Sequence, residues 1–186
     1  SEYQHTHPLF RFNINPITAN MITVKNLTKS FDGNTVLKDI STTFEPGKTN
    51  LIIGRSGSGK TVLLKSILGL FEVDSGEIWF DDRNLVNMSD KERKLLRQEI
   101  GMVFQGGALF DSINVEGNVR FPLDMFTQMS TAEKQKRVEF CLDHVNIEKQ
   151  AFKLSPSEIS GGMQKRVAIA RAIALNPKYL FCDEPN

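Results

Sequence analysis

The chain has 186 residues, 40% of them hydrophobic, which suits one domain with a full core and an attached subdomain. Its 23 Lys and Arg against 22 Asp and Glu leave a net charge of +1, excluding a general nucleic-acid or anionic-membrane binder, whose affinity needs a basic face. No apolar run approaches the roughly 18 residues that span a bilayer, and the N-terminus lacks the apolar core of a signal peptide, so a soluble cytosolic chain is expected.

Residues 1–20 show neither periodicity nor caps and read as an extension, with Met21 a possible initiator and His5 and His7 without evident purpose. From Ile22 the alternation Ile22, Val24, with Leu27 following, predicts a half-buried strand continuing to Phe31. Asp32-Gly33-Asn34 makes a turn, and Val36 to Phe44 resumes the alternation, giving a two-stranded antiparallel unit. Phe31 reads as core or as a stacking platform for a base, with core favoured by its neighbourhood alone.

Thr49 to Ile53 reads as a short buried strand. It leads into Gly54-Arg55-Ser56-Gly57-Ser58-Gly59-Lys60-Thr61, which fits the phosphate-binding pattern G-x-x-x-x-G-K-[ST] without a mismatch. Val62, Leu63, Leu64, Ile67 and Leu68 then fall at helical spacing. A strand passing through glycines into a helix aims successive amides and a helix N-terminus at one point, which is an anion site. Lys60 adds a point charge for the outer phosphates, and the Thr61 hydroxyl is placed for Mg²⁺.

Further on, Asp74-Ser75-Gly76 turns the chain into a strand, Glu77 to Phe80. Ser89 with Glu92 is a capping-box signature for a helix over Asp90 to Gln98. The strand Ile100 to Phe104 delivers Gln105 to a sheet edge where open α/β sheets bind ligands. Ala108 to Ser157 is helical, with one helix over Val115 to Met125 broken by Pro122 and another opened by Ser130 and Glu133. Ser160, Gly161 and Gly162 open a further helix, ended by Asn176-Pro177, and again build an anion-binding N-terminus. Tyr179 to Cys182 reads as a buried parallel strand delivering Asp183 and Glu184 to the sheet edge, where Asp183 can bind Mg²⁺. Cys141 and Cys182 form no C-x-x-C pair and read as buried thiols.

These pieces in this order resemble the nucleotide-binding domain of ABC-type ATPases, from Met21 to the last residue. The signature I-S-G-G-M differs from the usual L-S-G-G-Q at Ile159 and Met163, while Ser160, Gly161 and Gly162 are kept. The resemblance implies an α/β, RecA-like P-loop NTPase core with an antiparallel β subdomain and an α-helical subdomain, its C-terminal part missing. It divides the chain into an extension (1–20), the β subdomain and phosphate-loop core (21–110), a helical subdomain (111–159), and the signature helix with the magnesium-binding strand (160–186).

It implies ATP and Mg²⁺ as cofactors: Gly54 through Val62 (Gly54, Arg55, Ser56, Gly57, Ser58, Gly59, Lys60, Thr61, Val62) around the phosphates, Phe31 stacked on adenine with Val36 beside it, and Thr61, Gln105 and Asp183 around the metal. Lys60, Gln105 and Glu184 would be catalytic, Glu184 orienting and deprotonating the attacking water. A homodimer or pseudo-dimer would close head to tail, so that Ser160, Gly161 and Gly162 touch the ATP of the partner subunit. An integral membrane permease would dock around Ala108 to Leu123, holding the protein on the inner face of the cell membrane, with no nucleic acid involved.

A narrower similarity lies in Phe104-Gln105-Gly106-Gly107-Ala108-Leu109-Phe110-Asp111-Ser112, in Asn118-Val119-Arg120-Phe121-Pro122-Leu123, and in S-G-G-M. It is to the ATPases of Mla-type phospholipid transport systems, whose partners carry mammalian-cell-entry domains. The alternative is a soluble ABC-type ATPase acting on ribosomes or DNA without a permease. The family pattern continues past the D-E-P motif with a loop and a strand ending in a histidine that contacts the γ-phosphate. The expectation is therefore a fragment with weak nucleotide binding and little turnover, in which edge backbone beside the phosphate-loop strand is uncovered.

Overall fold

The computed structural model describes residues 20–104 and 107–183. The expectations placed on His5, His7, Gln105 and Glu184 lie outside the described residues.

The alternating residues fold as they read. β1 (Ile22–Phe31) pairs antiparallel with β2 (Asn34–Phe44) in the register Ile22 to Phe44, Val24 to Thr42 and Phe31 to Asn34. Asp32 and Gly33 between them both have positive φ, 48° and 82°, the pairing a two-residue hairpin turn of matching twist requires. The unit is larger than two strands. β3 (Ser75–Phe80) lies on the other side of β1, and the short β4 (Arg83–Asn84) follows, so the antiparallel sheet has the order β2-β1-β3-β4. On its apolar face Ile22, Val24, Leu27, Ile78 and Phe80 are buried with Leu63 and Ile67 of α1 (Lys60–Ile67) and Leu96 of α2 (Asp90–Gln98). Ser89 and Glu92 form the reciprocal capping box at the start of α2.

A second sheet is parallel: β5 (Ile100–Val103) beside β6 (Tyr179–Cys182), registered Ile100 to Tyr179 and Val103 to Cys182. Its base is tied to the antiparallel sheet. The Tyr179 hydroxyl donates to Asp81 Oδ2 at 2.6 Å, the Arg83 guanidinium grips both Glu99 oxygens at 3.0 and 2.8 Å, and the Phe80 and Tyr179 rings meet edge to face at 5.0 Å.

The helices α3 (Val115–Phe126), α4 (Thr131–His144) and α5 (Gly161–Ile173) enclose a separate cluster of Val115, Val119, Leu123, Val138, Cys141, Leu142, Val167 and Ala170. Three expectations fail in these elements. Pro122 does not break α3, which runs through it; Val115, Val119 and Leu123, buried on one face, hold the helix across the missing amide. Thr49–Ile53 is not a strand: Leu51 and Ile53 are 77% and 87% exposed, and no described strand lies beside them to complete a ladder. β6 is buried along only one face: Leu180 and Cys182 are exposed on the other, and among the described residues β5 is its sole strand neighbour, while Cys141 is buried as expected.

Candidate nucleotide-binding site

The phosphate loop turns on Gly57 and Gly59, at φ 76° and 90°, and Gly59 serves as the N-terminal boundary of α1 without a side-chain cap. A side chain at Gly59 would meet both strain and steric contact, its Cβ standing 3.1 Å from Leu37 Cδ2 and 3.2 Å from Val36 Cγ1. β2 therefore lies directly against the loop. Gly54 is crowded from within, since a Cβ there would stand 2.5 Å from Ser58 Oγ. Among the described residues, the Ser58 amide alone of those from Arg55 to Thr61 has a protein acceptor, Arg55 O at 3.2 Å. The others join the unpaired first-turn amides of α1, a donor set that accepts an anion.

Lys60 sits at the mouth of this loop. Its Nζ donates to Gly54 O and Arg55 O, both at 2.9 Å. An ammonium held by two carbonyls beside free amides can exchange those acceptors for phosphate oxygens without a change in its stem. The residues present thus fit a polyphosphate. Thr61 follows at the second helical position, with its side chain on the exposed end of the helix.

Phe31 stands at the end of β1 and is 37% exposed, so it is not the core residue its neighbourhood suggested. Its ring is set by an edge contact to Phe71, 5.3 Å between centroids, and by Lys29 Nζ 5.0 Å from the ring centre. Asp74 fixes this corner by accepting from Ser30 N at 2.6 Å and Lys29 Nζ at 3.1 Å; the Lys29 hydrogen bond, first, holds its carboxyl below the usual range. Sequence reading saw Asp74 only as a turn residue, because the partners lie across a strand pairing. Val36, equally exposed and packed on Gly59, supplies a second apolar surface near the phosphate loop.

At the other candidate anion site Ser160 caps α5, its Oγ accepting from Met163 N at 3.2 Å. Gly161 and Gly162 are exposed, with nothing within 4 Å of where a Cβ would stand. The two departures from the usual signature have packing roles: Ile159 is buried in the helical cluster and Met163 packs against it. Asp183 follows β6 and donates its amide to Val103 O at 2.9 Å. Among the described residues no group of three or more His, Cys, Asp or Glu side chains forms a metal cage.

The ABC transporter family matches residues 37–186. The methionine import ATP-binding protein MetN of Clostridioides difficile is 44% identical over 165 residues, 88% of this chain and 50% of that protein. The intermembrane phospholipid transport system ATP-binding protein MlaF of Escherichia coli is 41% identical over 167 residues, 90% of this chain and 62% of that protein. The chain thus spans between half and two thirds of these relatives. Among solved structures, the dimeric post-hydrolysis state of the ATP-binding cassette MJ0796 bound to ADP and Pi superposes with a TM-score of 0.80 at 34% identity, over 89% of this chain and 74% of that one. With an α/β fold, a phosphate loop at the start of α1 and a Ser-Gly-Gly start to α5, the chain belongs to the ABC transporter family.

Proposed function

We propose that the chain is the ATP-binding and ATP-hydrolysing part of an ABC transporter that drives phospholipid transport through a separate permease. The observation that carries the nucleotide reading is the loop itself: amides from Arg55 to Thr61, all but that of Ser58 without a protein acceptor among the described residues, beside the Lys60 ammonium, with Val36 packed on Gly59 and Phe31 exposed for a base. In this reading Gly54 through Val62 bind the phosphates and Phe31 stacks on adenine. Thr61, Gln105 and Asp183 would hold Mg²⁺, which neutralises phosphate charge when bound, and Glu184 positions and deprotonates water. Ser160, Gly161 and Gly162, exposed at the start of α5, meet the nucleotide of a second copy or homologue, a reading supported by the likeness to the dimeric MJ0796 cassette.

The helical surface supports a membrane partner. No described helix is long and apolar enough to cross a bilayer, yet Phe110, Phe121, Met125 and Phe126 stand exposed on or beside α3. Four large apolar side chains in that span suit a permease contact on the inner face of the membrane. The lipid assignment rests on the F-Q-G-G-A-L-F-D-S and S-G-G-M similarity and on the MlaF relative; the MetN relative points to a different cargo.

Binding of a fluorescent ATP analogue with Mg²⁺ tests the first part. Saturable binding competed by ATP supports it, and absence of binding sinks it. Reconstitution of the protein with its permease in vesicles, measuring ATP-dependent transfer of labelled phospholipid against methionine, tests the second. Methionine movement without lipid transfer would replace the cargo.

A further inference from the structure

A lysine two residues before the exposed Phe31 does not reach for solvent. The Lys29 side chain is 16% exposed, where a surface lysine ordinarily extends its ammonium into water. Its Nζ stands over the Phe31 ring, 5.0 Å from the ring centre, and donates to Asp74 Oδ1 at 3.1 Å. A cation over one face of an aromatic ring is attracted by the ring quadrupole, and it leaves one face for any other stacking partner. Phe31 nevertheless remains exposed.

Asp74 sets this pose. It lies between α1 and β3, and its backbone is pinned to β1, Asp74 N donating to Thr28 O at 3.0 Å. Its Oδ2 accepts from Ser30 N at 2.6 Å, so one carboxylate holds both residues that precede Phe31. Ser30 Oγ and Thr35 Oγ1, 3.1 Å apart, close the same corner across the hairpin. The Phe31 ring meets Phe71 edge to face at 5.3 Å, and Lys65, in the last turn of α1, stands 5.5 Å from the Phe71 ring centre. The aromatic corner is thus braced from one end of the helix whose other end opens at the phosphate loop, about 12 Å away along eight residues.

We propose that Lys29 and Asp74 are positioning residues for the nucleotide base: their ion pair keeps the ammonium over one face of Phe31, which fixes the ring and leaves its opposite face for the base. A ring already fixed loses less side-chain freedom when a base stacks on it, and affinity gains by that difference. Because Asp74 holds the ammonium, the contribution falls on the base and not on the phosphates. The inference rests on the ATPase reading above.

The test measures, with Mg²⁺ present, the affinities for ATP and for inorganic triphosphate, whose ratio isolates what the nucleoside adds. In the unsubstituted protein ATP should bind roughly tenfold tighter or more. Lys29→Met should lower that ratio about fivefold and leave the triphosphate affinity within about twofold. In a Phe31→Leu background, where the stacking face is gone, the same substitution should change the ratio by less than about 1.5-fold, an interdependence that a merely structural role would not produce. Lys29→Arg keeps a cation beside the ring and should keep the ratio. Should the methionine variant fail to fold, Asp74→Asn carries the same expectation of a lowered ratio at unchanged triphosphate affinity. An unchanged ratio, equal weakening of both ligands, the same loss with and without Phe31, or a loss as large for arginine as for methionine overturns the proposal while leaving the ATPase reading standing. An unsubstituted protein that binds triphosphate as tightly as ATP does so too; one that binds neither ligand overturns both.

Discussion

The helical cluster and the stretch entering the phosphate loop are held in opposite ways. In the first, Val115, Val119, Val138, Cys141, Leu142, Val167 and Ala170 are fully buried, on helices begun by the caps Asn114, Ser130 and Ser160. In the second, Leu51 and Ile53 stand exposed and unladdered, and Lys60 spends its ammonium on the loop's own carbonyls. A helix closes its backbone hydrogen bonds within itself and needs only one packed face, whereas a parallel strand depends on neighbours distant in sequence. The contrast teaches that stability and nucleotide chemistry are separable here, and each substitution below tests that separation.

The largest effect belongs to the cluster: Leu142→Ala removes buried methyl groups from a fully buried site and should cost about 2–5 kcal/mol in denaturant unfolding. A loss below about 1 kcal/mol would mean the cluster is not the stable half. Lys60→Ala should do the reverse, weakening ATP binding roughly 10- to 100-fold through a lost charge-assisted contact while the unfolding midpoint stays put. Ser130→Ala, which removes the hydroxyl half of a capping box, should cost about 1 kcal/mol. The joint between the two sheets should show in the pH profile. The Arg83 hydrogen bond, then Lys178, holds Glu99 below the usual carboxylate range despite burial, so its contribution is present above about pH 4.3 and is lost as pH falls through the lower folded value. Glu99→Gln should flatten that part of the acid decline in thermal stability. The smallest effect is at the exposed stretch, where Ile53→Ser should change stability by no more than about 0.5 kcal/mol.

Much of this was legible beforehand, for reasons that differ by element. The starts of α2 and α4 could be read to the residue because Ser89 with Glu92 and Ser130 with Glu133 write those N-termini locally. The hairpin was legible in Asp32-Gly33, and the phosphate loop in its glycines and Lys60. Pro122 misled because a local rule was set against three buried contacts that the local pattern does not weigh. Lys29 was missed although a signal existed: it falls two residues before Phe31 on an alternating strand, which places both side chains on one face.

By itself, then, the sequence determined whatever is closed over a few residues: caps, turns, the amide-rich loop at the head of α1 and the Ser-Gly-Gly head of α5. Only the tertiary structure decided that Phe31 faces outward beside Phe71, that α5 buries its face with α3 and α4, and that Lys29 meets Asp74 over the Phe31 ring. Those arrangements depend on groups distant along the chain, and their free energy comes from burial and hydrogen bonds that exist only once the chain has brought them together.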